Sequence, residues 1–308
     1  MPAPRIRLTM ARRRTDPGRS RRSLALLWAG LVLLAGAAEA APASGQSAPA
    51  EAPAPTTPSR PPAPAQRLPR PELRRPSLGV DIEAVRADSL FAPFRSQLAA
   101  GRLSEARAAL DRVVSSSRQP VEREVAEFDR IELDFFAGQF DSATAQYRGF
   151  AQTHLRGYLT NDAIARIFLL EENSGADTKA LQLYATAALN LRIGRPDSAA
   201  AALRLAIERY QGGEIEDDLR LFLGDVAQRL TPPAGALEQY KRVAEMDDSP
   251  LAAAALLRTA RYYSTVEIDP AAATTACEQV MARFPDSVEA GEARKLMDHL
   301  RRGGRPAS

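Results

Sequence analysis

Apolar residues in the C-terminal three-quarters of the chain fall at i, i+4 and i+7, the spacing that places them on one face of an α-helix. The pattern is anchored by five alanines, Ala106, Ala143, Ala199, Ala236 and Ala273. Four residues after each stand Leu110, Tyr147, Leu203, Tyr240 and Cys277, and seven after each stand Val113, Phe150, Ala206, Val243 and Val280. Each triplet forms the buried stripe of one helix. Three residues before the alanines come Leu103, Phe140, Pro196, Pro233 and Pro270, and proline suits the first turn of a helix, where no backbone donor is lost. Gly101, Gly138 and Gly194, five residues before, suit an inter-helix turn that needs positive φ. The pattern predicts twelve helices at about 82–100, 102–116, 120–137, 139–153, 158–172, 177–193, 196–210, 214–230, 233–246, 250–265, 270–283 and 286–301. No strand is needed, so the predicted fold class is all-α, an α-solenoid of about twelve antiparallel helices.

The alanines are spaced by 37, 56, 37 and 37 residues. A period near 37 means stacked helical hairpins, none of which buries its apolar face alone. The long interval exceeds the period by 19 residues, the length of one helix with its turn, so an additional helix is expected near Asn161–Glu172. A second phase also fits: Gly175-Ala-Asp-Thr-Lys-Ala180 matches the turn pattern and would pair the fifth and sixth helices, with the break after Gly194.

The stretches Gly101-Arg-Leu-Ser-Glu-Ala106, Gly138-Gln-Phe-Asp-Ser-Ala143 and Gly194-Arg-Pro-Asp-Ser-Ala199 resemble the inter-helix turn and second helix of a tetratricopeptide repeat (TPR), and Leu223-Gly224 matches that family's Leu-Gly pair before Ala236. Thr186-Ala187 and Thr259-Ala260 put only a small residue near that place. The likeness spans roughly residues 80–300. Arg283-Phe-Pro-Asp-Ser-Val-Glu-Ala290 further resembles the linker of exported envelope TPR proteins, such as the outer-membrane-protein assembly lipoprotein and the periplasmic partner of the Tol-Pal system. The chain has no cysteine near a cleavage site, as the first would need, and no heptads ahead of the repeats like the second. The resemblance implies a protein-binding scaffold. Counted in the family's register, the inner face carries Phe128, Glu132, Phe135, Tyr184, Asp225, Arg229, Arg258 and Tyr262, the candidate groove for an extended or helical segment of another protein.

The first 40 residues read differently. Eight arginines precede the apolar run Leu24–Ala38, and Ala38-Glu39-Ala40 offers an A-x-A cleavage site. A secretory signal at 1–40 is predicted, with an uncleaved single-pass anchor through Leu24–Ala38 as the alternative; Arg21-Arg22 also partly matches a twin-arginine signal. Cleavage would take the net charge from +3 to −3, leaving about −6 on the repeats and no electrostatic footprint for nucleic acid. Residues 41–78 hold eleven prolines and read as a disordered linker, and 79–302 as the helical domain, followed by a disordered tail at 303–308. The linker's Arg60–Arg75 cluster is either an envelope or peptidoglycan contact or a solvated tail.

No catalytic constellation emerges. His154 and His299 lack metal-ligand spacing, and neither a phosphate loop nor a G-x-S-x-G motif occurs, so no metal, cofactor or enzymatic activity is predicted. Cys277 stands in the core register and is expected to be buried. Glu216-Asp217-Asp218 and Asp247-Asp248 are expected as helix-start acids. The functional expectation is a non-enzymatic periplasmic or secreted envelope scaffold; the alternatives are an accessory subunit of a peptidoglycan-acting enzyme and a self-assembling structural protein.

Overall fold

A computed structural model of the chain describes residues 80–174, 178–232 and 234–302. The expected signal, linker and tail lie outside these residues, as do Pro233 and the start of the alternative turn at Gly175. The described residues form thirteen α-helices and one 3₁₀ turn, with no strand: the fold is an all-α solenoid. The helices are α1 (Ile82–Ala87), α2 (Ala92–Ala99), α3 (Leu103–Ser116), α4 (Pro120–Phe136), α5 (Phe140–Thr153), α6 (Thr160–Glu172) and α7 (Thr178–Arg192). They continue with α8 (Pro196–Arg209), α9 (Glu216–Ala227), α10 (Ala236–Ala244), α11 (Ala252–Thr265), α12 (Pro270–Arg283) and α13 (Val288–Arg301).

One expected helix is two. The span 82–100 breaks because the Asp88 carboxylate accepts the Leu90 backbone N–H at 2.8 Å, opening the 3₁₀ turn Ser89–Phe91, and Pro93 then starts α2. Asp81 caps α1 through the N–H groups of Glu83 and Ala84.

All five ladder alanines are fully buried, on α3, α5, α8, α10 and α12, together with Leu110, Tyr147, Leu203, Tyr240 and Cys277. Small residues there let each second helix approach the first helix of its own pair. Cys277 is a core residue, and burial pushes its thiol up to about 11, helped by Glu278. The pairs α4–α5, α7–α8, α9–α10 and α11–α12 pack as antiparallel hairpins, and α13 closes the far end against α11 and α12 with Ala290, Ala293 and Met297 buried.

The two phases are now distinguished. α7 packs closely with α8 and does not form a hairpin with α6, which lies against α5. α6 is therefore the added helix. Its insertion reverses the next one: Arg192 meets Asp129 while Tyr184 meets Phe135, so α7 runs antiparallel to α4. Farther on, Asp217 meets Ser249 and Asp225 meets Arg258, so α9 and α11 run parallel as regular repeats do.

Two glycine-register positions carry testable consequences. Gly224 faces Tyr240 so closely that an added Cβ would overlap the ring. Gly224→Ala should cost about 1–3 kcal/mol, and an unchanged urea midpoint would refute the close-packing account. Gly101, Gly138 and Gly194 all adopt φ of 73–75°, and the residue in the same register before Ala273 is Ile268, at φ 54° and 76 % exposed. A β-branched residue is strained there while its side chain packs on little. Ile268→Gly should stabilise the protein by about 1 kcal/mol, read as a higher denaturation midpoint; a lower one would mean that the side chain holds the turn.

Candidate functional site

First helices of successive pairs line a concave cavity of about 1200 Å³, reached by α1, α4, α6, α7, α9, α11, the end of α12 at Arg283, and α13. α4 supplies its floor at one end. Asp129 and Glu132 lie there 0 % and 2 % exposed, one helical turn apart on a helix that buries two faces. Arg86 from α1 grips Asp129 with two bonds of 2.9 and 3.2 Å, and Arg192 from α7 adds a third at 2.9 Å. Glu132 receives Arg166 from α6 at 2.8 and 3.1 Å, the Tyr147 hydroxyl from α5, and Arg192 at 3.7 Å. Arg166 also lies over the Phe135 ring, 4.5 Å from its centroid. Two buried acids thus gather three arginines, and no charge in the group lacks a counter-charge.

Burial opposes ionisation of Glu132, but Arg166, Arg192 and the Tyr147 hydroxyl outweigh it and hold the carboxyl down to about 2. Burial likewise disfavours the charged Arg166 guanidinium, and Glu132 more than compensates, raising it well above its ordinary range.

The same arrangement recurs two pairs on. Asp225 of α9 accepts the Tyr240 hydroxyl of α10 and the Arg258 Nε of α11, both at 2.8 Å and both on one carboxylate oxygen, Oδ1. Glu132 receives Tyr147 and Arg166 on its Oε1 in the same way. In each case the tyrosine follows the acid by 15 residues. α6 therefore stands toward α4 and α5 as α11 stands toward α9 and α10. It is a first helix without a second helix of its own.

Six of the eight expected groove residues line the cavity: Phe128, Glu132, Tyr184, Asp225, Arg229 and Arg258. Phe128 and Glu132 are floor, closed to a ligand by burial, whereas Tyr184, Asp225 and Arg258 are partly open and Arg229 is exposed. Phe135 and Tyr262 do not belong. Phe135 is 0 % exposed among Phe136, Phe140 and Tyr184, and Tyr262 is 7 % exposed in the core of the last pairs. Both were placed by helical register, which cannot tell the cavity side of a first helix from the side facing its neighbour. Arg166, Arg192 and Phe222, the last stacked on Tyr184 at 4.8 Å, were missed. The constant 15-residue offset from acid to ladder tyrosine would have pointed to the clamps.

The expected helix-start acids divide. Glu216, Asp217 and Asp218 open α9 but turn inward: Glu216 pairs with Arg220 at 2.6 Å, Asp217 accepts Ser249 at 2.7 Å, and Asp218 accepts the Asn173 amide at 3.0 Å. Asp247 and Asp248 cap nothing. α11 begins only after Leu251, which leaves both exposed on the cavity rim. They are joined by Asp286 and Glu289 from the α12–α13 connection. Among the described residues no cation pairs with these four. His154 meets Glu127 at 2.8 Å and His299 is exposed on α13. No group of three potential metal ligands, and no helix long and apolar enough to cross a membrane, occurs among the described residues.

Neither a protein-family model nor a curated protein sequence matches this chain.

The Glu132 cluster makes stability pH-dependent. Its folded value is about 2 against an ordinary 4.5, so the ionised form favours the fold: the contribution is complete above pH 4.5 and is lost as the pH falls toward 2. It amounts to roughly 3 kcal/mol at neutral pH. Glu132→Gln should therefore be much less stable than the parent at pH 7 in chemical unfolding, with the gap closing between pH 4.5 and 2. A gap independent of pH would show that the carboxylate charge is not what binds the cluster.

Proposed function

We propose that this protein is a non-enzymatic scaffold of the tetratricopeptide type, exported to the bacterial cell envelope, which holds an extended or helical segment of another protein in its concave cavity. The observation that carries the reading is the cavity itself. First helices of successive pairs present it a half-open aromatic, Tyr184, a partly open Asp225–Arg258 pair, the exposed Arg229, and a rim of carboxylates paired with no cation among the described residues. Fixed polar groups beside apolar surface on rigid helices suit recognition of a peptide chain. The 37-residue period and the Gly-x-x-x-x-Ala turns support the family, and the arginine-rich leader with its Ala38-Glu39-Ala40 site supports export.

The test must spare the core, which rules out replacing Phe135 or Tyr262. A photo-reactive amino acid at Arg229, on the cavity, should capture a discrete envelope protein in living cells, and this chain in the cross-linked product should begin at Ala41. The same group at Glu208, exposed on the second helix α8, should not capture it. Equal capture from both positions would sink the groove assignment.

A further inference from the structure

The cavity is electrostatically two-ended. At the α1 end every charge is matched, with Arg86, Arg166 and Arg192 gathered on Asp129 and Glu132. At the α13 end Glu292 is taken by Arg261 and Arg283 donates to the Ala244 carbonyl at 3.0 Å, whereas Asp247, Asp248, Asp286 and Glu289 line the opening with no cation paired to them among the described residues. Between them Pro250, Ala254 and Val288 offer half-buried apolar surface, over the buried Leu251, Ala253 and Leu257. Four acids of one sign around an apolar bed repel one another, and they call for a cationic chain with apolar side chains between its charges.

The protein carries such a chain. Residues 67–76 read Arg-Leu-Pro-Arg-Pro-Glu-Leu-Arg-Arg-Pro, with Arg67, Arg70, Arg74 and Arg75 around Leu68 and Leu73. Only four residues separate Arg75 from Val80, where the described chain begins, and α1 follows at once with Glu83 and Arg86 on the cavity wall. Thirteen residues from Arg67 to Val80 span up to about 45 Å when extended. The segment is thus attached at the margin of the cavity it complements. The matched near end offers its arginines no free carboxylate, so the attraction lies at the acidic far end. We propose that the segment Arg67–Pro76 of this chain is a tethered ligand of its own cavity, held by the rim of Asp247, Asp248, Asp286 and Glu289.

The inference rests on the cavity being a peptide-binding surface and adds that its first occupant is intramolecular. A short tether holds its ligand at an effective concentration of about millimolar. An external partner must therefore displace the segment, which sets a threshold for capture. Because the contact is ionic and rim-exposed, salt weakens it.

The experiment uses the full chain with Arg70→Lys and Arg74→Lys, which keep the charge and supply amines. A water-soluble carbodiimide, which joins an amine to a touching carboxylate, is applied and the products are mapped by mass spectrometry. The expected products link position 70 or 74 to Asp247, Asp248, Asp286 or Glu289 within one chain, and fall at least tenfold in 0.5 M salt. Links spread over unrelated surface acids, or no links at all, overturn the proposal. In a mixture of isotopically heavy and light chains, heavy–light links in place of light–light ones also overturn it by making a second copy the occupant. Capture of an envelope protein from position 229 is scored separately, so the groove reading stands or falls independently of these links.

Discussion

Two carboxylates on one helix face decide how this solenoid is built. Asp129 and Glu132 are withdrawn from water, and an isolated charge so placed would cost several kcal/mol. Arginines from α1, α6 and α7 converge on them, and those on Glu132 hold it ionised. None of those three helices forms a hairpin with α4. The ion pairs thus tie together elements that the repeat alone does not. Removing one partner of such a group typically costs 3–5 kcal/mol, whereas replacing the whole group with apolar residues can be neutral. Its physical value is accordingly in geometry: an apolar contact would tolerate α7 sliding along α4, and a guanidinium bonded to two fixed acids does not.

That constraint explains the break in the repeat. In the regular module, acid, tyrosine and arginine come from the first helix, the second helix and the next first helix, as in Asp225, Tyr240 and Arg258. Glu132, Tyr147 and Arg166 reproduce it, with α6 supplying the arginine. α6 then lacks a second helix, and α7 comes back along α4, where Arg192 joins the cluster and Tyr184 rests on Phe135. The loop into α6 is fixed by the same helix, since Glu124 accepts the Leu159 backbone N–H at 2.7 Å. Three buried acids of α4 thereby serve one insertion.

The periodic part of this architecture was legible from the chain alone. Ala106 through Ala273 report a local rule, that a small side chain is needed wherever two helices of a pair come close, and local rules repeat in sequence. The exception at the start was equally local but ambiguous, because Asp88 reads as an acceptable helix residue until its carboxylate is seen to bind Leu90. What sequence hid was long-range. Arg166 lies 34 residues from Glu132 and Arg192 lies 63 from Asp129, and nothing short of the fold brings them together. The groove was half legible for a related reason. Register gives the face of a helix to within a turn, enough for Tyr184, Asp225, Arg229 and Arg258, but Phe135 and Tyr262 sit where that margin turns a lining residue into a core one.

The contrast between the two ends of the cavity then acquires meaning. A chain that supplies three arginines to two acids at one end has shown that it neutralises carboxylates where the fold needs it. At the other end Asp247 and Asp248 do not cap α11 and pair with no cation among the described residues, and with Asp286 and Glu289 they place like charges along one opening. Like charges close together weaken a fold slightly in water and strongly once solvent is displaced. The fold draws nothing from this arrangement. A cationic segment entering the opening would find carboxylates already positioned and paired with no cation among the described residues, and the electrostatic cost borne by the open rim would become affinity once it is occupied.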